Sequence, residues 1–158
     1  MSLAPLPKRA LITGAANRIG RAVALDLARH GVEIAIHYHQ STNAAESLQQ
    51  EIAALGQRAQ CFQADLTDSA ACLALIPTIS QAFGALDGLI NNASLFIKDA
   101  WDRPDMAAYT ANWHSNCTAP FILTQLFVQQ LPAAAAGSII NMIDQRVVNL
   151  TPHYASYS

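Results

Sequence analysis

The stretch that decides the fold is the segment Arg9-Ala10-Leu11-Ile12-Thr13-Gly14-Ala15-Ala16-Asn17-Arg18-Ile19-Gly20, close to the start of the chain. Its first five residues form a short apolar run that ends at a glycine, which predicts a buried β-strand. Apolar residues then recur at helical spacing from Ile19 to Ala28, and Gly31 is a typical helix end. A strand, a glycine-containing turn and a helix in this order predict a βα unit.

The same alternation of strands and helices continues for most of the chain. Further strands are predicted at 32–36, 58–62, 86–90 and 138–143. Helices are predicted at 42–55, 68–83 and 112–131, with a loop over 94–104 before the last of them. Pro77 should interrupt one of these helices, and Pro120 should kink another or lie in its first turn. This order predicts one α/β domain over residues 1–158, a Rossmann-type doubly wound parallel sheet with helices on both faces.

Composition excludes several classes of protein. Hydrophobic residues make up 52% of the 158 positions and charged residues 13%, the balance of a globular domain rather than of a disordered chain. A net charge of −2 predicts no nucleic-acid partner and no membrane surface, and no apolar run reaches the roughly 18 residues of a membrane span. Cys61, Cys72 and Cys117 are too widely spaced for a zinc site, so we predict reduced thiols in a cytoplasmic protein without a metal.

The turn after the first strand predicts an anion site. Backbone N–H groups at a helix N-terminus attract a phosphate, and Gly14 and Gly20 let the backbone approach a diphosphate closely. The GxGxxG form is absent, because Arg18 stands where the central glycine would be. An ordinary tight turn between strand and helix remains the alternative interpretation of this segment alone.

Four stretches, in order along the chain, resemble the short-chain dehydrogenase/reductase family. The turn resembles its TGxxxGxG signature, Ala64-Asp65-Leu66 resembles the segment that contacts adenine, and Asn91-Asn92-Ala93-Ser94 resembles its NNAG motif with Ser for Gly. Asn116 resembles the helix asparagine that supports a proton-relay water. The resemblance implies hydride transfer on a nicotinamide cofactor. The residues that it implies as cofactor-binding are Gly14, Asn17, Arg18, Ile19, Gly20, Asp65, Leu66, Asn92, Ala93 and Ser94.

The end of the second strand predicts which nicotinamide binds. In such folds an acidic side chain at this place binds the ribose diol of NAD, but the strand here ends His37-Tyr38-His39-Gln40-Ser41. These hydroxyls and imidazoles, helped by partial imidazolium character, can hold a 2′-phosphate instead. We therefore predict NADP(H) as the cofactor. The alternative is that these residues are only a solvated strand end.

The predicted catalytic groups come late in the chain. The fifth strand leads to Asp144, and Tyr157 follows thirteen positions later, at the start of a further predicted helix. The resemblance implies a Ser and a Tyr at this interval and a Lys at position 161, so we expect the biological protein to continue beyond Ser158. Tyr157 is the predicted proton donor, and Tyr154 is expected to pack against or line the site. Burial could raise the pKa of Asp144 enough for it to relay protons; the alternative is an Asp that caps a turn.

Segments 13–20, 37–41, 91–96 and 140–144 are, more narrowly, similar to pteridine reductases. That subfamily reduces dihydropterins or dihydrofolate with NADPH. The resemblance implies that Asp144 and Tyr157 relay the proton, and that Arg18 and Ser94 face the cofactor and the pterin. It also implies that Phe96 stacks on the pterin ring, although a loop aromatic buried in the core is the other interpretation.

Three functions remain open. The first is an NADPH-dependent reductase of a pterin or dihydrofolate. The second is a carbonyl reductase of a 3-oxoacyl thioester or a sugar, and Asp144 in place of Ser argues against it. The third is a non-catalytic NADP(H)-binding protein, which gains weight if the chain ends at Ser158. All three predict a small-molecule partner, and analogy with the family predicts a homo-oligomer, a tetramer or a dimer, with 112–131 at the interface.

Overall fold

The computed structural model describes residues 5–103, 105–151 and 153–158. The five β-strands are β1 Arg9–Ile12, β2 Glu33–Tyr38, β3 Ala59–Gln63, β4 Gly88–Asn91 and β5 Ser138–Asn141. The α-helices are α1 Arg18–Arg29, α2 Thr42–Ala54, α3 Ser69–Phe83, α4 Met106–Trp113 and α5 Ala119–Gln130. A π-helical turn over His114–Thr118 joins α4 to α5, and a short 3₁₀ turn spans Gln145–Val147.

All five strands run parallel in one sheet, in the order β3-β2-β1-β4-β5. β1 lies at the centre, where Leu11 pairs with Ala35 on one side and with Leu89 on the other. The chain winds outward from β1 to β3 and then crosses back to β4, so the winding direction reverses beside β1. Ligands of such sheets bind outside the carboxyl ends of the strands at this reversal. The predicted doubly wound parallel sheet is confirmed.

Helices cover both faces of the sheet, because successive side chains of a strand point to opposite sides. On one face Ile12 packs in a core cluster with Ala24 of α1 and Leu48 of α2. On the other face Leu11 packs in a second cluster that includes Ile79 of α3 and residues of α5. The predicted layers are therefore confirmed, and the two cores fix the strand ends from which the cleft loops emerge.

The two prolines in helical segments behave differently. α3 runs through Pro77 without a break, because Ile76 and Ile79 are buried on its core face. Their packing outweighs the roughly 3 kcal/mol that an internal proline costs, so the predicted interruption is wrong. Pro120 lies in the first turn of α5, which is one of the two placements predicted for it.

The helical segment that contains α4 begins at Met106, six residues earlier than the predicted start at 112. The Asp105 carboxylate caps it by accepting hydrogen bonds from the N–H groups of Ala107 and Ala108, both at 3.0 Å. The predicted loop over 94–104 is irregular over 94–103, and Pro104 lies outside the described residues. The cap therefore decides where the loop gives way to helix.

The end of the chain departs from prediction in two places. β5 ends at Asn141 rather than at 143, so Asp144 lies on a loop beyond the strand. Residues 153–158 form turns in place of the predicted helix start. One helix-like hydrogen bond joins the N–H of Ser158 to the carbonyl of Tyr154 at 3.1 Å. Tyr157 is therefore placed by a turn rather than by a helix.

Two classes of feature are missing from the part of the chain that the structure describes. None of its helices is long and apolar enough to cross a membrane. Nor does this part bring together three or more His, Cys, Asp or Glu side chains that could hold a metal ion.

Candidate active site

The β1–α1 turn forms one wall of a cleft at the carboxyl ends of β1 and β4. Gly14 adopts a left-handed φ of +63°, and a Cβ there would lie 3.0 Å from the Cα of Ala93. A Cβ at Gly20 would lie 2.5 Å from the carbonyl oxygen of Gly14 and 2.6 Å from Nδ2 of Asn92. Glycine is required at both places, because the turn packs directly against the segment that follows β4.

Arg18 belongs to the same turn and has unusual backbone geometry. It adopts a φ of +49°, the left-handed conformation that glycine would adopt at this position of the motif. An L-residue loses roughly 1–2 kcal/mol in this conformation. Arg18 nevertheless lines the cleft, so the turn places a guanidinium beside the cleft at a cost in backbone free energy.

Thr13 and Asn92 hold the turn against the segment after β4. The Thr13 hydroxyl oxygen accepts hydrogen bonds from the N–H groups of Asn92 and Ala93, both at 2.9 Å. The Asn92 amide donates to the carbonyl oxygens of Thr13 at 2.8 Å and Gly14 at 3.2 Å. Asn92 thus shapes the cleft through the backbone. Thr13 is not among the predicted site residues, although a hydroxyl residue between a strand and a glycine turn is a signal for it in the sequence.

His37, near the end of β2, uses both ring nitrogens inside the protein and is 2% exposed. The N–H of Gly14 donates to Nδ1 at 3.0 Å, so Nδ1 carries no proton and Nε2–H donates to the carbonyl of Ala64 at 3.1 Å. Burial lowers the pKa of His37 to about 4, and the bond to Ala64 opposes this shift only in part. The imidazolium character predicted for this strand end is therefore wrong for His37, which is neutral and links β2 to the glycine turn.

The other residues of the predicted 2′-phosphate site divide between the cleft and the core. His39 and Gln40 line the cleft. Ser41 is outside the lining, and its hydroxyl accepts a hydrogen bond from the Asn17 amide at 3.1 Å. Tyr38 packs against the core between β2 and α1–α2. Tyr38 is the last residue of β2 and points to the face opposite His37, whereas the other three residues lie in the bend beyond the strand.

Asp65, predicted to contact adenine, lines the cleft after β3 together with Leu66. Its Oδ1 accepts hydrogen bonds from the N–H and the hydroxyl of Thr67, both at 2.8 Å, and these bonds lower the pKa of the carboxyl. Its Oδ2 lies 3.6 Å from Nε2 of His39. This end of the cleft therefore presents an ionised carboxylate and an imidazole, which can both hydrogen-bond the edge of a heterocycle.

Asp144 and Tyr157 meet at the other end of the cleft. The Tyr157 hydroxyl donates to Oδ2 of Asp144 at 3.2 Å, and the Ser94 hydroxyl donates to the Tyr157 oxygen at 3.5 Å. Oδ1 of Asp144 accepts from the N–H of Arg146 at 3.0 Å, so Asp144 also caps the 3₁₀ turn. Burial raises the pKa of Tyr157, the Ser94 bond lowers it, and the Asp144 charge raises it further. The phenol therefore keeps its proton at neutral pH and can act as a donor.

Phe96 lies beside this pair. Its ring stacks on Tyr154 with centroids 3.9 Å apart and an interplanar angle of 11°, and it meets Tyr157 edge-on at 4.6 Å. Phe96 is 48% exposed and lines the cleft. The interpretation of Phe96 as a buried core aromatic is therefore wrong. Tyr154 packs on it and supports it from behind.

Asn116 lies behind the cleft and not in its lining. Its Oδ1 accepts from the N–H of Leu95, and its Nδ2 donates to the carbonyl of Leu95, both at 2.8 Å. Its neighbour Ser115 lines the cleft instead. The geometry makes Asn116 a support for the loop before Phe96, and its role in a proton relay stays a prediction.

One cleft of about 670 Å³ brings most of the predicted residues together, and this size is typical of a small-molecule site. The predicted residues in its lining are Gly14, Asn17, Arg18, Ile19, Gly20, His37, His39, Gln40, Asp65, Leu66, Asn92, Ala93, Ser94, Phe96, Asp144 and Tyr157. Tyr38, Ser41 and Asn116 are not in it. Thr67, Leu95 and Ser115 line the cleft without having been predicted, because their places depend on how the loops meet.

Residues 8–158 match the short chain dehydrogenase family, and the chain belongs to this family. One relative is the 3-oxoacyl-[acyl-carrier-protein] reductase FabG of Staphylococcus aureus. It is 33% identical to this chain over 137 residues, which are 87% of this chain and 56% of that protein. The L-rhamnose 1-dehydrogenase (NAD(P)(+)) of a Sphingomonas species is 31% identical over 133 residues, 84% of this chain and 52% of that protein. The chain thus spans little more than half the length of these relatives.

Two solved structures are similar to this chain over most of its length. The FolM alternative dihydrofolate reductase 1 of Brucella suis, in complex with NADP, is 37% identical with a TM-score of 0.88, covering 94% of this chain and 62% of that one. A short chain dehydrogenase of Burkholderia cenocepacia, also with NADP, is 32% identical with a TM-score of 0.87, covering 95% of this chain and 60% of that one. The names of the similar proteins therefore point to different substrates, while the two solved structures share the fold of this chain.

Proposed function

We propose that this protein is an NADPH-dependent oxidoreductase that reduces a pterin or a dihydrofolate-like substrate by hydride transfer. The observation that carries the proposal is the hydrogen bond of 3.2 Å between Tyr157 and Asp144, in the cleft that Phe96 also lines. A phenol beside a carboxyl can deliver a proton, and an exposed aromatic ring can hold a flat heterocycle. The three side chains together suit a planar ring that accepts a hydride and a proton.

The cleft fits a dinucleotide. Gly14 and Gly20 admit no Cβ, so the turn stays compact and its backbone N–H groups remain close to a bound diphosphate. In this proposal His39 and Gln40 hold the 2′-phosphate, Arg18 faces a phosphate of the cofactor and the pterin, and Asp65 holds the adenine. The predicted cofactor, NADP(H), agrees with the NADP complexes of the Brucella suis and Burkholderia cenocepacia proteins. When bound, the nicotinamide supplies the hydride.

The proton comes from the residues of this chain. Tyr157 gives its proton to the ring nitrogen next to the carbon that accepts the hydride, so a C=N bond becomes CH–NH. Ser94 donates to the Tyr157 oxygen and stabilises the phenolate as it forms. Asp144 is exposed and bonded to the phenol, so it can pass a proton from water to the Tyr157 oxygen. Asn116 supports this wall of the cleft through Leu95.

A ketone reductase is the second candidate, and the identity of 33% to the FabG reductase of Staphylococcus aureus favours it. Asp144 argues against it, because a ketone is polarised by a neutral hydroxyl, and a carboxyl does this only when protonated. A sugar dehydrogenase belongs to the same candidate class. The third candidate is a non-catalytic protein that binds NADP(H).

The test is NADPH oxidation with dihydrobiopterin and dihydrofolate, compared with NADPH oxidation with an acetoacetyl thioester and NADP⁺ reduction with L-rhamnose, on the wild type and Asp144→Ser. We expect at least roughly tenfold higher kcat/KM for one of the first two substrates. Asp144→Ser should narrow that preference, because it replaces the carboxyl by the hydroxyl that suits a ketone. A preference for the thioester or for L-rhamnose supports the second candidate. NADPH binding with no turnover supports the third, and no NADPH binding overturns all three.

We further propose that the protein forms a homo-oligomer, a tetramer or a dimer, through the segment 112–131. Trp113, Phe121 and Val128 lie along this segment and are 51%, 62% and 55% exposed. Exposed apolar side chains grouped on one helical segment mark interaction surfaces. Light scattering should find an oligomer for the wild type and a smaller species for Phe121→Glu, and a monomeric wild type would contradict the proposal.

A further inference from the structure

Asn112 of α4 is a buried polar residue that the proposed chemistry does not use. Its side chain is 1% exposed and lies between two segments that are distant in sequence. Its Oδ1 accepts from the N–H of Ile97 at 3.2 Å, and its Nδ2 donates to the carbonyl of Ile97 at 3.3 Å and to the hydroxyl of Ser156 at 2.8 Å. Both N–H donors of the amide are therefore used inside the protein, and its oxygen, which keeps one free lone pair, is too buried to meet a ligand.

Asp99 adds a second link between the same two segments. Its carboxylate oxygens accept from the N–H of Ser156 at 3.2 and 3.0 Å. Asp99 lies two residues after Ile97, on the same loop. Ser156 is therefore held by its backbone and by its side chain, in both cases by the segment 97–112. A hydrogen bond between a carboxylate and an N–H is among the stronger kinds.

These contacts flank the two residues that face the proposed substrate. Ile97 directly follows Phe96, and Ser156 directly precedes Tyr157. Leu95, on the other side of Phe96, is held by Asn116 in the same two-bond manner as Ile97 is held by Asn112. Both neighbours of Phe96 are therefore held by an asparagine side chain. The asparagine that holds Ile97 also bonds Ser156, the residue before Tyr157.

We propose that Asn112 is a positioning residue that holds the Phe96 loop and the Tyr157 segment together as one wall of the cleft. It acts through Ile97 and Ser156 and touches neither the substrate nor the cofactor. The effect on catalysis rests on the proposed function. The coupling of the Phe96 loop to the Tyr157 segment rests only on the hydrogen bonds of Asn112. In this inference Asn112 fixes how far the Phe96 ring, which orients the substrate, lies from the Tyr157 hydroxyl, which protonates it.

Amide hydrogen exchange, followed by NMR, tests the coupling without any substrate. In Asn112→Ala the N–H groups of Ile97 and of residue 156 should both exchange faster, although they are 59 positions apart. Ser156→Ala keeps both hydrogen bonds between Asn112 and Ile97, so exchange should become faster only at the N–H of residue 156. Thr110→Ala, an exposed change on the same helix, should alter neither. If Asn112→Ala speeds exchange at Ile97 alone, the proposed coupling is wrong.

Kinetics test the consequence for the reaction, with dihydrobiopterin or dihydrofolate as the probe. Misplacing a proton donor by about 1 Å costs up to roughly a hundredfold in rate, so kcat should fall on the order of tenfold to a hundredfold in Asn112→Ala and Ser156→Ala. The Kd for NADPH should change less than twofold, since the 13–20 turn is not touched. Asn112→Asp keeps the acceptor for the Ile97 N–H but places an oxygen against the Ile97 carbonyl, so it should recover less of kcat than Ser156→Thr, which keeps the hydroxyl.

The outcomes separate this inference from the proposed function. A wild type that turns over no substrate overturns the proposed function, while exchange at residue 156 still decides whether Asn112 couples the segments. A wild type that is active, with both alanine variants equally active, overturns the positioning role alone. If Asn112→Ala does not fold, Ser156→Ala tests the positioning role instead. It should fold, because it removes only one hydrogen-bond acceptor at a half-buried position.

Discussion

Removing the hydroxyl of Tyr157 should affect turnover much more than cofactor binding. Phe at this position keeps the edge-on contact with Phe96 and loses the bond to Asp144. We expect turnover to fall by about 10²–10⁴, because the proton donor is gone, and the Kd for NADPH to stay within a few fold. Initial rates and a fluorescence titration measure the two quantities. Tyr109→Phe, an exposed ring on α4, is the control, and full activity in Tyr157→Phe would count against the assignment.

His37 should make the stability of the protein depend on pH. Burial lowers its pKa to about 4 in the folded chain, against an ordinary value of 6.5. The unfolded chain therefore binds more protons between these values, so the free energy of unfolding is highest above pH 6.5 and falls as the pH drops towards 4. The loss from this group is about 3 kcal/mol. Urea unfolding at pH 7.5 and 5 should show a smaller difference for His37→Asn than for the wild type.

His153→Gln is the matched control for that measurement, because His153 is exposed. It should retain the difference between the two pH values that the wild type shows. An equal pH dependence in His37→Asn and the wild type would mean that other groups cause it. The prediction would then be wrong.

Single residues show what a sequence can and cannot reveal about this site. The resemblance to short-chain dehydrogenases predicts Asp144 and Tyr157 as catalytic groups, and the structure joins the two side chains by a hydrogen bond. The neutral state of His37 was not predictable, because it depends on Gly14 and Ala64, which two other elements supply. The same holds for Asn112, whose partners come from the loop after β4 and from the end of the chain.

At the scale of elements, the β1–α1 turn is defined by close packing. Gly20→Ala would place a Cβ 2.5 Å from the Gly14 carbonyl, and relieving such a clash costs about 1–3 kcal/mol and moves the turn. We expect the Kd for NADPH to rise on the order of tenfold or more, as measured by calorimetry. Gly31→Ala is the control. Its φ of +90° makes alanine destabilising, but it lies at the other end of α1 and should leave the Kd unchanged.

Element boundaries were predicted where a local signal decides them and missed where tertiary contacts do. The strands and α1–α3 follow from apolar spacing and from glycines, and β1 to β4 lie within two residues of their predicted places. The early start of α4 also had a local signal, the cap at Asp105, which was overlooked. The course of α3 through Pro77 had none, because only the burial of Ile76 and Ile79 stabilises it.

At the scale of the whole molecule, cofactor binding should appear as thermal stabilisation. A ligand at a hundred times its Kd adds about 2.7 kcal/mol, which raises the Tm of a domain of this size by roughly 5–10 °C. Because no carboxylate lies at the end of β2, NADPH should raise the Tm more than NADH at equal concentration. The pair 2′-phospho-ADP-ribose and ADP-ribose isolates the contribution of the phosphate. Equal shifts for NADPH and NADH would contradict the predicted preference.

Because Arg18 has a left-handed backbone, stability and activity should favour different residues at this position. A glycine there would relieve roughly 1–2 kcal/mol of conformational strain and would remove the guanidinium from the cleft. A variant library screened only for survival on heating should therefore enrich glycine at position 18, whereas one screened for growth that needs the reaction should retain arginine. Changes that aim at thermal stability should therefore be made elsewhere in the chain.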